Sequence, residues 1–239
     1  MNTTPRYKRV LWKLSGEILR GQRGAGFDPA VFVRIAGEVK SVLDRGVELA
    51  VVIGGGNIFR GAAGQKTGID RATGDQIGML ATVANGLALR AVLQGHGIAA
   101  RIQSAIAVPG VVPLFDGPTA ISALERGEVV IFVAGTGNPY FTTDTAAALR
   151  GAQIHANALL KGTKVDGVYS ADPETHPDAT FFPELTFQQV LAQGLGVMDL
   201  SAAALCASEG LEVVVYNART EGTLGRVLDG EQVGTIIHG

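Results

Sequence analysis

Three apolar runs in the chain do not alternate with polar residues: Val10-Leu11-Trp12, Ala50-Val51-Val52-Ile53 and Val129-Val130-Ile131-Phe132-Val133. They are rich in β-branched and aromatic side chains. A strand apolar on both sides is buried on both faces, as in a mainly parallel sheet covered by helices. Helical patterns lie between the runs. Asp28-Pro29 is a start signal, and apolar residues recur at helical spacing through Val39 and Leu43 to a stop at Gly46. A longer helix is expected from about Gln76 to Leu93, before Gly95-His96-Gly97, and Gly117-Pro118-Thr119 opens a short one that closes at Gly127. Thr142 or Thr143 is placed to cap a helix beginning Thr145-Ala146-Ala147-Ala148. Alternating strand and helix predict a doubly wound α/β fold, a three-layer α/β/α sandwich around a mainly parallel central sheet.

With 239 residues the chain is long enough for one large domain or two closely packed lobes. The segment Ser170 to Pro183, with Pro173, Pro177 and few apolar residues before Phe181, reads as a surface excursion or lobe boundary rather than a linker. Broken apolar runs predict no membrane-spanning helix, and the start of the chain shows no signal peptide. A formal net charge of -2 without a Lys/Arg-rich run speaks against a nucleic-acid surface. Any bound phosphate must therefore meet local groups. Cys206 is the only cysteine, so no intrachain disulfide can form and a reducing cytoplasm is expected.

Many of the 33 glycines fall where apolar runs end, which is where ligands sit in such sheets. Lys13-Leu14-Ser15-Gly16-Glu17 places a lysine at a strand end before a small turn, a setting that suits a phosphoryl oxygen but also an ordinary solvated lysine. Ile53-Gly54-Gly55-Gly56-Asn57, followed by Arg60, strips a turn of side chains at an entropic cost that a simple connection does not need. It matches neither a phosphate-binding P-loop (Gly64-Gln65-Lys66-Thr67 is a near miss) nor a dinucleotide fingerprint. Gly135-Thr136-Gly137-Asn138-Pro139-Tyr140-Phe141-Thr142-Thr143-Asp144 offers hydroxyls, an amide and free backbone groups next to a helix N-terminus. Lys161 and Lys164, taken alone, read as solvated, and Asp70, Asp75 and Asp199 each have an ordinary alternative such as a helix cap. The four histidines show no metal-ligand spacing.

In this order, these segments resemble the amino acid kinase superfamily, most closely its bacterial uridylate kinases. The resemblance runs from Tyr7-Lys8-Arg9 to Gly234-Thr235 and includes Asp75 through Asn85, Lys161 through Pro173 and Val197-Met198-Asp199-Leu200. Gly-Thr-Gly-Asn-Pro, two aromatics and Thr-Thr-Asp mark the nucleotide-accepting branch. The resemblance implies one domain over residues 1–239, with a UMP-binding half to about 150 and an ATP-binding half from about 151. Lys13, Leu14, Ser15, Gly16, Gly56 and Arg60 would surround the ATP phosphates, and Thr163, Tyr169 and Asp172 would hold the adenosine end. UMP would contact Gly55, Asp75, Thr136, Gly137, Asn138, Pro139, Tyr140, Phe141, Thr142 and Thr143.

Lys13, Asp144, Lys161, Lys164 and Asp199 are the expected catalytic set, with one of Lys161 or Lys164 joining Lys13 in neutralising the transferring phosphoryl group and Asp144 holding the lysines. Mg²⁺ would arrive with ATP, with no dedicated protein cage. The resemblance further implies a homohexamer, GTP activation and UTP inhibition, with Gly21, Gln22, Arg23, Gly24, Ala25 and Gly26 as the effector loop. Ala25 stands where an aromatic is common and Gln94 where a more basic residue is, departures that bear on GTP activation rather than catalysis. The loops Gly21 to Gly26 and Gly61 to Gly68 are expected to be mobile before ligands bind. Alternatives are a carboxylate or carbamate kinase of the same superfamily, a non-catalytic nucleotide sensor and, more distantly, a dehydrogenase.

Overall fold

The computed structural model describes residues 5–60 and 68–239. The near miss at Gly64-Gln65-Lys66-Thr67, and residues 61–67 of the loop Gly61 to Gly68, lie outside the described residues. Strand β1 (Arg9–Leu14) runs between β2 (Glu48–Ile53) and β5 (Ala158–Thr163), parallel to both. On the β2 side follow β4 (Val129–Val133) and β3 (Ala100–Ser104). On the β5 side follow β9 (Glu212–Asn217), β10 (Thr235–His238) and β8 (Glu184–Thr186), so one eight-stranded sheet has the order β3-β4-β2-β1-β5-β9-β10-β8. Within it the β9–β10 pairing is antiparallel and the others are parallel.

The unalternated runs have the expected cause. Val10, Trp12 and Leu14 join Leu49, Val51, Ile53, Val129, Ile131 and Val133 in the core on one face of the sheet. Leu11, Ala50, Val52, Val130 and Phe132 join the core on the other. Helices α2 (Pro29–Leu43), α3 (Arg71–Gly95) and α8 (Thr223–Leu228) cover the first face. Helices α4 (Gly117–Glu125), α5 (Thr143–Gln153), α6 (Phe187–Gln193) and α7 (Leu200–Glu209) cover the second. Cys206 is enclosed on α7, where burial pushes its thiol up to about 12. One further turn of helix, α1 (Gly16–Leu19), follows β1 directly.

Helix starts obey local capping chemistry. Asp28 Oδ1 accepts from Ala30 N at 3.0 Å with Pro29 in the first turn, and Asp116 Oδ1 accepts from Thr119 N at 2.9 Å. Helix α3 starts at Arg71, ahead of the expected Gln76, because its first turn is polar and its start is set by Asp70, which accepts from Thr73 N at 3.1 Å. Contrary to the expectation from broken apolar runs, α3 has the length and apolar composition of a membrane span, with 25 residues and a mean hydropathy of 1.3 over its best window. Its composition has another cause: Met79, Val83, Leu89 and Leu93 are buried against the sheet, as are the polar Thr82 and Asn85. The segment after β5 is the expected surface excursion, tied back where β6 (Val168–Tyr169) pairs with β7 (Phe181–Phe182).

Close contact between α3 and the sheet depends on Gly86, where a Cβ would lie 2.3 Å from Val133 Cγ1 and 2.9 Å from Ile102 Cδ1. Gly78, on the same helix, has nothing within 4 Å of that point. The two glycines should therefore respond to alanine with opposite signs. Gly78→Ala should stabilise by about 0.5–1 kcal/mol through helix propensity. Gly86→Ala should destabilise by about 1–3 kcal/mol through overpacking. Chemical denaturation of the two variants beside the parent checks the signs, and a more stable Gly86→Ala would refute the packing argument.

Candidate active site

Parallel pairing of β1 with β5 sets Lys13 directly against Lys161. Like charges so placed repel, and the structure puts a carboxylate between them. Lys13 Nζ lies 2.9 Å from Asp144 Oδ1, and Lys161 Nζ lies 2.5 Å from Asp144 Oδ2. Lys161 also donates to the carbonyl of Val197. All three side chains are largely shielded, with 14%, 11% and 14% exposure for Lys13, Lys161 and Asp144. Burial alone would push the Asp144 carboxyl up, but Lys13 and Lys161 outweigh it and hold the group below the usual carboxylate range. Burial lowers the pKa of Lys161, and Asp144 offsets only part of that effect. Contrary to the solvated reading of both lysines, Lys161 is buried. Lys164 is exposed, pairs with Glu174 and does not join the triad.

Asp144 sits in the first turn of α5, so the start of that helix fixes its position. Thr142 caps it, its Oγ1 accepting from Asp144 N at 3.0 Å and Thr145 N at 3.4 Å. Asp199 in turn accepts from the hydroxyls of Thr142 and Thr145, the latter at 2.9 Å, and from Ala202 N at 3.0 Å as the cap of α7. Asp199 therefore bridges the starts of two helices and acts on the triad through Thr142 rather than by touching the lysines. Thr145 was invisible as a site residue in the sequence, because a threonine beside three alanines has no signal beyond helix propensity.

Glycine turns bring bare backbone to the same place. A Cβ on Gly16 would lie 2.4 Å from Gly54 O and 2.8 Å from Gly56 N, so the turns after β1 and β2 are in backbone contact. A Cβ on Gly55 would likewise lie 2.8 Å from Gly78 O of α3. The β2 turn is fastened from below. Asn85 donates to Gly54 O at 2.6 Å, and the Asn57 and Asn85 amides exchange hydrogen bonds of 3.0 and 2.7 Å. Asn57 also holds Gly26 through two hydrogen bonds, its side-chain Nδ2 donating to Gly26 O at 3.1 Å and Gly26 N donating to Asn57 O at 3.2 Å. One end of the Gly21–Gly26 loop, with Gln22, Arg23, Gly24 and Ala25, is thus tied beside Gly56. Arg60 pairs with Glu17 at 2.9 Å.

Two clefts share Thr163. One, of about 450 Å³, is lined by Thr163, Tyr169, Asp172 and the turn Gly194 to Val197. The other, of about 710 Å³, runs from Lys13, Ser15 and Lys161 past Thr163 to the loop at Gly21. Ser15 makes no side-chain hydrogen bond to the helix it precedes, whereas Leu14 is buried in the core. On the other side of the triad, Asp75 Oδ2 accepts from Tyr140 N at 2.7 Å and joins α3 to the loop Thr136 to Thr143. Tyr140 holds a left-handed φ of 74°. Arg71, which the sequence did not mark, steadies it by donating to Tyr140 O at 3.4 Å with its guanidinium 5.0 Å from the ring centre. Gly137 has φ 83° and lies against Ala105 O, and Thr136 and Asn138 bond to each other. Tyr140 and Phe141 are exposed there, at 61% and 51%. Among the described residues no group of three acidic, histidine or cysteine side chains could cage a metal ion.

The model of the amino acid kinase family matches residues 8–217. The uridylate kinase of Marinobacter nauticus is 52% identical over 234 residues, 98% of this chain and 97% of that protein. That of Aeromonas salmonicida is 52% identical over 237 residues, 99% and 97% of the two chains. The crystal structure of UMP kinase from Bacillus anthracis superimposes with a TM-score of 0.94 at 38% identity, covering 97% of this chain and 96% of that one. A parallel sheet with glycine turns and a Lys–Asp–Lys triad at its strand ends, and a family model that matches most of the chain, agree: the chain belongs to the amino acid kinase family.

Proposed function

We propose that the chain is a UMP kinase, transferring the γ-phosphoryl group of ATP to UMP to give UDP and ADP. The observation that carries the reading is the Lys13–Asp144–Lys161 triad between two candidate substrate regions, in a chain 52% identical to uridylate kinases. The donor would place its adenosine end by Thr163, Tyr169 and Asp172 and its phosphates by Lys13, Leu14, Ser15, Gly16, Gly56 and Arg60. UMP would lie between Gly55, Asp75 and the loop Thr136 to Thr143. The division into an acceptor half and a donor half follows from these positions.

The absence of a strong general base among these groups suits the acceptor. A phosphomonoester has a second pKa of about 6, so UMP is largely a dianion at neutral pH and is already a nucleophile. The obstacle is the approach of two anions, and the transferring group carries charge on its equatorial oxygens. Catalysis then consists of positioning and charge stabilisation. Lys13 and Lys161 supply that charge. Asp144 keeps the two ammonium groups at the in-register strand ends, and Asp199 keeps Asp144 there by fixing the start of α5. Lys164, paired with Glu174, guards the donor side and is not assigned to the transferring group.

Both oxygens of Asp144 are engaged by lysines, so Mg²⁺ would be held by ATP oxygens and water, in keeping with its habit of taking few protein ligands. It would supply charge neutralisation on the donor phosphates. The reading includes a homohexamer and regulation by GTP and UTP through the Gly21–Gly26 loop, which Asn57 ties to the glycine turn beside Gly56. It also places the enzyme in the cytoplasm, to which its single, buried Cys206 is suited.

Release of ADP from Mg-ATP, with UMP, CMP, aspartate and acetylglutamate offered in turn, tests the reaction. Turnover with UMP is expected; turnover only with a carboxylate acceptor would replace the reading. Lys13→Ala should lower kcat by about 10²–10³-fold, the scale of one lost charge-stabilising group, with a much smaller change in KM for UMP. Undiminished kcat would remove Lys13 from the mechanism. Asp75→Asn keeps an acceptor for Tyr140 N but loses the charge, so KM for UMP should rise about tenfold, the scale of one hydrogen bond to a charged group, with kcat little changed.

A stability measurement bears on Asp144. Its folded pKa lies below the unfolded value, so its contribution is complete above the unfolded pKa and is lost as pH falls through the folded one. Asp144→Asn should therefore cost about 3 kcal/mol at pH 7, where it leaves two facing lysines unpaired. The gap to the parent should narrow as pH falls below about 4, the ordinary range of an aspartate. Denaturation series from pH 7 to acid check this, and a gap independent of pH would show that the carboxylate charge is not what holds the triad.

A further inference from the structure

The larger cleft carries more positive charge than the triad accounts for. Besides Lys13 and Lys161 it is lined by Arg20, Arg34 and Arg219. These come from three separate parts of the fold: Arg20 follows α1, Arg34 lies on α2 and Arg219 follows β9. Arg20 and Arg34 are half-buried and Arg219 is exposed. Among the described residues, none of the three forms an ion pair with a carboxylate. The trio makes one side-chain hydrogen bond among the described residues, Arg20 to Gly24 O at 3.2 Å.

The acidic groups of the same cleft are already occupied. Glu17 pairs with Arg60 at 2.9 Å, and Asp28 accepts from Ala30 N at 3.0 Å as the cap of α2. Lys164, also on the wall, is neutralised by Glu174. In a chain of net charge -2, three guanidinium groups from separate elements thus line one cleft, and among the described residues no carboxylate, Glu17 and Asp28 on its wall included, pairs with any of them. A guanidinium presents a planar fork of donors that matches phosphate oxygens two at a time. The cleft volume, about 710 Å³, lies in the range of small-ligand sites.

We propose that Arg20, Arg34 and Arg219 form a second anion subsite in the donor cleft, gripping the polyphosphate chain of the nucleoside triphosphate beside the Lys13–Asp144–Lys161 triad. The subsite rests on the kinase reading for the identity of its ligand. Arg34 and Arg219 hold the donor in the ground state and the transition state alike, so their loss falls on affinity for the donor rather than on the chemical step.

The test compares the parent with Arg34→Ala, Arg219→Ala, the double variant and Arg34→Lys. Two measurements are made: steady-state kinetics with Mg-ATP and UMP, and calorimetric titration with inorganic tripolyphosphate. Each alanine should raise KM for Mg-ATP about tenfold, the scale of a charge-assisted hydrogen bond. KM for UMP should stay within about twofold, and tripolyphosphate affinity should fall in parallel. Arg34→Lys should recover part of the loss, since it keeps charge and loses the fork. Exposed Arg219 guards against a folding artefact, because its replacement touches no core. Unchanged KM for Mg-ATP together with unchanged tripolyphosphate affinity in the double variant would overturn the subsite. Failure of the parent to phosphorylate UMP would instead overturn the proposed reaction, and the tripolyphosphate titration would still decide the subsite.

Discussion

Lys13 and Lys161 are cross-strand neighbours at the centre of a parallel sheet, and both are mostly buried. Two ammonium groups so placed repel each other in a medium that screens them less than water does. The fold has to supply an anion, and Asp144 is that anion. Much of the surrounding structure serves to put it there: Thr142 starts the helix one residue before it could drift, Asp199 holds Thr142 and Thr145, and the same Asp199 starts α7. The Val197 carbonyl, two residues ahead of Asp199, takes another hydrogen of Lys161. The triad is thus not three residues but a closed circuit running through two strands and two helix starts.

A second constraint is the exclusion of side chains. Gly16, Gly54, Gly55 and Gly56 lie where β1 and β2 end, and the close approach of Gly16 to Gly54 O leaves no space for any Cβ. Such contacts keep bare backbone beside the strand end that carries Lys13, where a phosphate chain would need donors rather than bulk. The buried Asn57–Asn85 pair fixes the height of this turn against α3. Buried amides carry a desolvation cost that only full hydrogen bonding offsets, and here they link the glycine turn to α3 and to the Gly21–Gly26 loop at once.

The architecture was legible because burial on both faces leaves an unmistakable mark: Ala50 to Ile53 and Val129 to Val133 have no polar position to alternate with. The capping aspartate at 28 was equally local, whereas the helix capped by Asp70 was expected to start only at about Gln76. From the residues alone, without the family resemblance that grouped Asp144 with the lysines, what could not be read was anything that depends on strand register or on separations of fifty residues. Lys161 looked solvated because its flanking Gly162 and Thr163 are small, yet the pairing of β5 with β1 encloses it. The Asp199–Thr145 bond spans 54 residues and has no periodicity to betray it. Asn85 sat inside a stretch matched by family resemblance, but its role appears only when the β2 turn is seen resting on it.

Charge bookkeeping ties these observations to chemistry. The triad carries one net positive charge when all three members are ionised, enough to attract a phosphoryl group but far from enough to neutralise two polyanions that must touch. The depressed pKa of Asp144 keeps its charge in place and so holds the two lysines together against their mutual repulsion, and that same charge limits what the lysines can offer to substrate. On the proposed reading, additional positive charge would come from a divalent ion accompanying the donor and from the walls of the cleft. Those walls hold three arginines that have no carboxylate partner among the described residues, whereas the acceptor side carries the Arg71–Asp75 pair and neutral hydroxyls. This asymmetry matches the substrates: the donor brings a long, highly charged chain, and the acceptor brings a single phosphate and a sugar whose hydroxyls suit a carboxylate such as Asp75.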